Sequence, residues 1–232
     1  MKRAVAALFL LCVAAPMLSA CGAQDVIDPG DSGHYAPAID PADFVDTVDN
    51  PYFPLRSGSR WVYEGTSGGE AERIEVVVTQ EQRTILGISA TVVRDTVSVE
   101  GDVVEDTLDW YAQDHDGNVW YLGEASRDIE NGAVVSTAGS WEAGVDGAHP
   151  GIVMRASPTV GDAYRQEYYR GEAEDLAEVI EVSADHVVTQ EWNPLEPDVV
   201  ERKTYERGVG LVGEEKVRGG DGALELVSYT AG

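Results

Sequence analysis

Leu108-Asp109-Trp110-Tyr111-Ala112-Gln113-Asp114-His115-Asp116-Gly117-Asn118-Val119-Trp120-Tyr121 decides the fold class. Leu108, Trp110 and Ala112 alternate with Asp109, Tyr111 and Gln113, the period of two that sends successive side chains to opposite faces of a strand. Asp114 to Gly117 then supplies turn chemistry, with an Asp side chain that can bond its own backbone and a Gly that takes positive φ without steric cost. Trp110-Tyr111 and Trp120-Tyr121 therefore fall on the two arms of one antiparallel hairpin, where aromatic cross-strand pairs each contribute up to about 1 kcal/mol.

The same period continues on both sides. Ile74, Val76 and Val78 alternate with Glu75, Val77 and Thr79, and Val97 and Val99 alternate with Thr96 and Ser98. Turn signals separate these runs at Gly65 to Gly69, Glu100-Gly101-Asp102, Asn131-Gly132 and Gly219 to Gly222. Short strands at such spacing predict an all-β domain, an antiparallel meander forming a curved sheet, a barrel or a sandwich. Ala173, Leu176, Ala177 and Ile180 fit helical spacing as well, but the β context favours a strand from about Ala177. Gly139 to Met154 breaks the pattern, and its glycines predict a long irregular loop carrying Trp141.

The first residues obey a different rule. Met1-Lys2-Arg3 is basic and Ala4 to Leu18 is an apolar run of about 15 residues, the form of a secretory signal. It falls short of the roughly 20 apolar residues that span a bilayer, and Pro16 interrupts it. Leu18-Ser19-Ala20-Cys21-Gly22 resembles the bacterial lipoprotein box, which implies cleavage before Cys21 and attachment of lipid to its thiol. The only other cysteine, Cys12, lies inside the signal, so the mature chain keeps one thiol and no internal disulfide. One acyl chain holds a protein marginally and two hold it stably, so the resemblance implies a diacyl anchor in a bilayer, on the extracytoplasmic side of a membrane of the cell envelope.

Three segments follow: a signal peptide over 1–20, a lipidated acidic disordered tether over 21–40, and a single β-rich domain over 41–232. Gly22 to Asn50 holds seven Asp and no Lys or Arg, too little apolar surface to offset the entropy of ordering. Pro41-Ala42-Asp43 is suited to a short helix with Pro at its first position, and Phe44 and Val45 to docking on the domain. The chain carries 16 Lys and Arg against 42 Asp and Glu, and loss of Lys2 and Arg3 with the signal leaves 14 against 42, about −28. Phosphate backbones need basic surface, so nucleic acid is excluded as a partner. Apolar residues make up 43% of the chain, enough for a core despite the charge.

Asn50-Pro51-Tyr52-Phe53-Pro54-Leu55, Gly58 and Trp61-Val62-Tyr63-Glu64-Gly65 form one motif. Asp109 to Asp114 with Asp116 to Tyr121 and Gly123-Glu124 forms another. Together with Gly139 to Gly144 and Gly208 to Val212, they resemble a family of secreted bacterial proteins of unknown function. The resemblance spans roughly Pro41 to Tyr229 and implies a secreted β-rich domain. It supplies no activity. The stretch from Val182 to Gln190 is shorter than the family pattern, which implies a trimmed hairpin there.

Candidate sites are few. Asp114, Asp116 and Asn118 place side-chain oxygens at alternate positions, and Glu124 could close a Ca²⁺ site around them. The same residues also make a plain turn, and Ala112 and Gly123 stand where an EF-hand needs carboxylates. Trp110, Trp120, Trp141 and His149 are candidate ligand contacts, although Trp141 is better suited to plugging one end of the core. Gly65-Thr66-Ser67-Gly68-Gly69 satisfies Gly-x-Ser-x-Gly, with His115, His149 and His186 as possible bases, but no helix follows as the hydrolase elbow requires. No catalytic set is complete and no cofactor is called for beyond a possible Ca²⁺. The leading expectation is a non-enzymatic binding or interaction module for an unknown protein or small ligand. A carrier of an apolar ligand in a β cup and an envelope hydrolase are the alternatives.

Overall fold

A computed structural model describes residues 35–232; the expected signal peptide, Cys21 and the part of the expected tether up to His34 lie outside them. A 3-10 helix, Pro41–Asp43, precedes seventeen strands. They are β1 (Phe44–Val45), β2 (Arg60–Ser67), β3 (Glu70–Ile85), β4 (Ile88–Val99), β5 (Asp102–Asp114), β6 (Val119–Ala125), β7 (Asp128–Glu130), β8 (Ala133–Ser136) and β9 (Trp141–Glu142). The second half contributes β10 (His149–Met154), β11 (Ala163–Arg165), β12 (Glu167–Tyr168), β13 (Leu176–Val182), β14 (His186–Trp192), β15 (Val200–Glu206), β16 (Gly210–Arg218) and β17 (Gly222–Thr230). The all-β, antiparallel expectation holds, and β13 begins one residue before the expected Ala177.

Local chemistry sets the first half. Gly68-Gly69, Leu86-Gly87, Glu100-Gly101 and Asn131-Gly132 are two-residue loops with both residues at positive φ. That is the type I′ geometry whose twist matches the flanking strands. Each strand from β2 to β6 thus returns directly beside its predecessor.

The ladder then runs on from β6 to β10 and from β10 to β12, which continues β11 past Gln166. β11 pairs with β13, and β13 to β17 follow as consecutive hairpins. β17 returns to β2, with Thr230 opposite Arg60 and Gly222 opposite Ser67. The result is a nearly closed, barrel-shaped sheet. β1, β7 and β9 attach to its β5–β6 side, and β8 extends it by pairing with β7.

Two stretches differ from the sequence reading. Gly139 to Met154 contains β9 and β10 rather than one loop, and every residue of β10 after His149 is buried. A strand buried on both faces shows no alternation, so Pro150 to Met154 carries no period-two signal. The packed chain also begins ahead of the expected boundary at 41. Tyr35 is 3% exposed and donates its hydroxyl to Pro150 O at 2.8 Å. The short helix at Pro41 and the docking of Phe44 and Val45 match expectation, with Asp40 accepting from Ala42 N as the cap and β1 pairing with Asp114 and Gln113. The β13–β14 turn is short, Ser183 N reaching His186 O at 2.8 Å.

The Asn50–Leu55 motif ties this N-terminal segment to the barrel. Asn50 donates its backbone N–H to Gln113 Oε1, its Nδ2 to Gly117 O and Arg155 O, and accepts from Tyr52 N. That fixed corner delivers Phe53, Pro54 and Leu55 to the barrel interior.

Candidate functional site

Inward positions of the barrel do not fill it. A cavity of about 370 Å³ remains, within the range of small-molecule sites. Aromatic and aliphatic side chains form much of its wall: Phe53, Trp61, Tyr63, Val76, Tyr111, Tyr121, Tyr205 and Leu211 among them. The rings are fixed rather than loose. Tyr111 and Tyr121 stack at 4.8 Å between centroids, Phe53 meets Tyr111 edge-on at 5.3 Å, and Trp61 Nε1 and Tyr63 OH donate to Val209 O and Leu211 O.

The rest of the lining is charged. Asp95, Asp109, Glu124, Glu167, Asp175 and Glu214 face the cavity with one cation, Lys203. They come from different strands by register: Asp109 on β5 lies opposite Val93 on β4, two residues from Asp95, and opposite Glu124 on β6. Lys203 Nζ sits 2.9 Å from Glu191 Oε2 and 3.7 Å from Glu214 Oε2. Burial alone would lower the Lys203 pKa, but these two carboxylates outweigh it and hold the ammonium well above its usual range. The lysine is thereby neutralised locally.

Among the described residues no Lys or Arg pairs with Asp95, Asp109 or Glu124. Burial, reinforced by neighbouring carboxylates, pushes Asp95 up to about 7. Asp109 is also raised to about 7 by burial, although its hydrogen bond from Tyr121 opposes the shift. Glu124 reaches about 8 through burial and the adjacent Asp109. Geometry independently calls for a proton on one of the last two. Tyr121 OH lies 2.6 Å from Asp109 Oδ1 and 2.9 Å from Glu124 Oε2. A phenol has one hydrogen, so it can donate to one carboxylate, and the other must carry a proton to donate back. At least one proton is shared across this triad at neutral pH. Glu167 is held protonated well above the ordinary range by burial and by Asp175, while Trp141 Nε1 donates to its Oε2 at 2.8 Å.

The sequence-derived candidates fall elsewhere, with one exception. Trp141 is 4% exposed and packs edge-on to Tyr121, so it plugs the wall behind the cavity. Trp110 is buried on the opposite face of β5, with the Arg83 guanidinium 4.2 Å above its ring. Trp120 donates to Asp114 Oδ2 and meets Phe44 edge-on. His149 stacks on Tyr168 beside Tyr35, against Arg165. None of the four lines the cavity.

The calcium set is not assembled. Asp114 already accepts from Asn118 N, Asn118 Nδ2 and Trp120 Nε1, and Asn118 Oδ1 accepts from Ala156 N. Asp116 is exposed at the turn. Glu124 is paired with Asp109 while Gln113, next to Asp114, is paired with Val119, so Glu124 lies far along the hairpin from Asp114. The exception is therefore Glu124, a lining residue for another reason. Among the described residues no cluster of three metal-type ligands occurs.

Neither serine arrangement suits a hydrolase. Ser67 ends β2 at a two-residue hairpin rather than at a strand-to-helix elbow. Ser183, His186 and Glu181 form a hydrogen-bonded chain, with Oγ on Nδ1 at 2.9 Å and Nε2 on Glu181 at 2.8 Å. Ser183 Oγ, however, also accepts from the N–H groups of Asp185 and His186, which commits it to the β13–β14 turn.

No protein-family model and no curated protein matches this chain. Two solved structures are similar to it. One, from Bacteroides fragilis, is described as an exported protein with a YmcC-like fold; it has 14% identity over 78% of this chain and 99% of its own, with a TM-score of 0.43. The other, from Parabacteroides distasonis, is described as a lipoprotein; it has 12% identity over 80% of this chain and all of its own, with a TM-score of 0.41.

Proposed function

We propose that this chain is an extracytoplasmic, lipid-anchored binding module that holds a small ligand inside its barrel and does no chemistry on it. The observation that carries the reading is the unfilled cavity of about 370 Å³, walled by fixed aromatic rings and by carboxylates of which Asp95, Asp109 and Glu124 have no cation paired with them among the described residues. A core selected for stability alone would fill that volume, since each methyl-sized void costs about 1 kcal/mol. Buried carboxylates with raised pKa values in a cavity are the usual mark of a site. The anchor rests on Leu18 to Gly22 and on the absence of any second thiol in the mature chain. The resemblance to secreted bacterial β-rich proteins fits the same compartment.

Binding is thus located in the barrel rather than at Trp120, Trp141 or His149. Native mass spectrometry of residues 22–232, exported and purified without chelator, tests it. A discrete added mass in the small-molecule range is expected, lost on unfolding. A bare chain that also takes up nothing from an envelope extract refutes it. For the anchor, Cys21→Ser is expected to move the protein from the membrane fraction to the soluble fraction; continued membrane association after an alkaline wash refutes the lipid.

A further inference from the structure

We propose that the ligand is an organic amine, with its ammonium seated among Asp95, Asp109 and Glu124 and its apolar body against the tyrosine wall. This rests on the reading that the barrel binds a small molecule.

Three independent observations carry the inference. First, Lys203 is spoken for by Glu191 and Glu214, so the carboxylates on β4, β5 and β6 face the cavity with no cation opposite. Second, Asp95 lines the cavity, and its Oδ1, which lies closed off behind the lumen surface, has no hydrogen-bond partner, so a turn of the carboxyl toward a donor in the cavity would pair it. An orphaned acceptor of this kind costs about 1–3 kcal/mol and calls for a donor. Third, Asp109 and Glu124 flank the single Tyr121 hydrogen and complete the triad only with a shared proton, a place that an ammonium N–H can take over. An ammonium brings three donors to that place. The stacked Tyr111 and Tyr121 rings beside it present faces that favour a cation as well as an alkyl or aryl body. Anionic ligands meet repulsion, and a neutral apolar ligand leaves Asp95 unpaired.

The exchange balances. R–NH₃⁺ enters, the proton shared by Asp109 and Glu124 leaves to solvent, and the total charge in the cavity is unchanged. The groups facing this pair are Asp95 on β4, Glu105 on β5, Tyr121 on β6, Glu167 on β12 and Asp175 ahead of β13. All but Tyr121 are acidic, so each favours the ammonium over a vacant cavity.

The test uses three probes that share one phenethyl body, phenethylamine, 2-phenylethanol and 3-phenylpropionate, titrated calorimetrically at pH 7 into residues 22–232, which contain every described strand. Phenethylamine is expected to bind at least tenfold more tightly than the alcohol, with the propionate not binding. Its enthalpy should depend on the buffer, reporting protons released. Asp95→Asn and Asp109→Asn, checked for an unchanged circular dichroism spectrum, should each bring phenethylamine binding down to within about threefold of the alcohol measured in the same variant. Equal binding of amine and alcohol overturns the amine inference but keeps the binding module. Binding of Ca²⁺ alone at one equivalent, lost in the same variants, overturns it in favour of a metal. Failure of all three probes at millimolar concentration overturns the amine inference, while the binding module is refuted only by the bare chain that takes up nothing from an envelope extract.

Discussion

Replacing Asp109 by asparagine is expected to stabilise the protein at pH 8, although the residue is buried and hydrogen-bonded. The side chain is 8% exposed and its carboxyl is raised from 3.8 to about 7. Between those values the folded chain holds a proton that the unfolded chain has lost, so stability falls as pH rises through that window. A shift of this size corresponds to roughly 4 kcal/mol once pH exceeds the folded value, and to little at pH 4. Asparagine keeps the shape, still accepts from Tyr121 OH through Oδ1 and never ionises. It also removes a repulsive neighbour from Glu124. Urea unfolding of residues 22–232 followed by tryptophan fluorescence at pH 5, 6, 7 and 8 measures the effect. Asp109→Asn should exceed the parent by about 1–2 kcal/mol at pH 5 and by about 3–5 kcal/mol at pH 8, a growth of roughly 2–3 kcal/mol across that range. The overall charge repels at all these pH values in both proteins, so their difference isolates the carboxyl. A difference that stays constant with pH, or a less stable variant at pH 8, refutes the raised Asp109 pKa.

Other substitutions probe the frame. Gly65→Ala puts a Cβ 1.8 Å from Ala223 O at the β2–β17 seam, and a loss of at least about 2 kcal/mol should lower the calorimetric Tm by roughly 5 °C or more. Trp141→Phe keeps much of the packing on Tyr121 but removes the donor to Glu167, and should cost about 1–3 kcal/mol in the same urea assay. Asp114→Ala removes the acceptor of three hydrogen bonds at the β5–β6 turn and should cost about 2–4 kcal/mol, by the same amount with 5 equivalents or so of Ca²⁺ as with chelator. A calcium-dependent gap between parent and variant would restore that loop as a metal site.

How far the sequence carries depends on which physical signal each residue leaves. The hairpins are legible because glycine is the cheap residue at positive φ, as at Glu100-Gly101 and Asn131-Gly132. Leu86-Gly87 is quieter, since Leu86 at φ 51° is a costly choice that no turn rule favours. β10 is silent because both its faces are covered. The cavity is the largest gap. On β5 the period of two separates Trp110 and Ala112 from Asp109 and Tyr111, but it does not say which set faces inward. Outside a barrel, Asp109 reads as solvent-facing; inside one, the same alternation points it into the lumen. Only the return of β17 to β2 decides between them, and that pairing joins residues too distant for any local pattern to foresee. Glu124 was visible as a carboxylate with a partner, and its partner is Asp109 rather than Asp114.

The β2–β17 seam also fixes an order of events. β2 to β5 fold from neighbouring residues, whereas pairing Arg60 with Thr230 closes a loop of about 170 residues, an entropic cost of roughly 4–5 kcal/mol by chain statistics. Loop-closure entropy therefore predicts that the half-barrel forms first, with its lumen open to water and its carboxylates ionised like any on a surface. Those groups regain their protons only as the last strands come in. Barrel closure is then a proton-uptake step, and its rate should slow as the medium becomes alkaline while the earlier hairpins form at an unchanged pace.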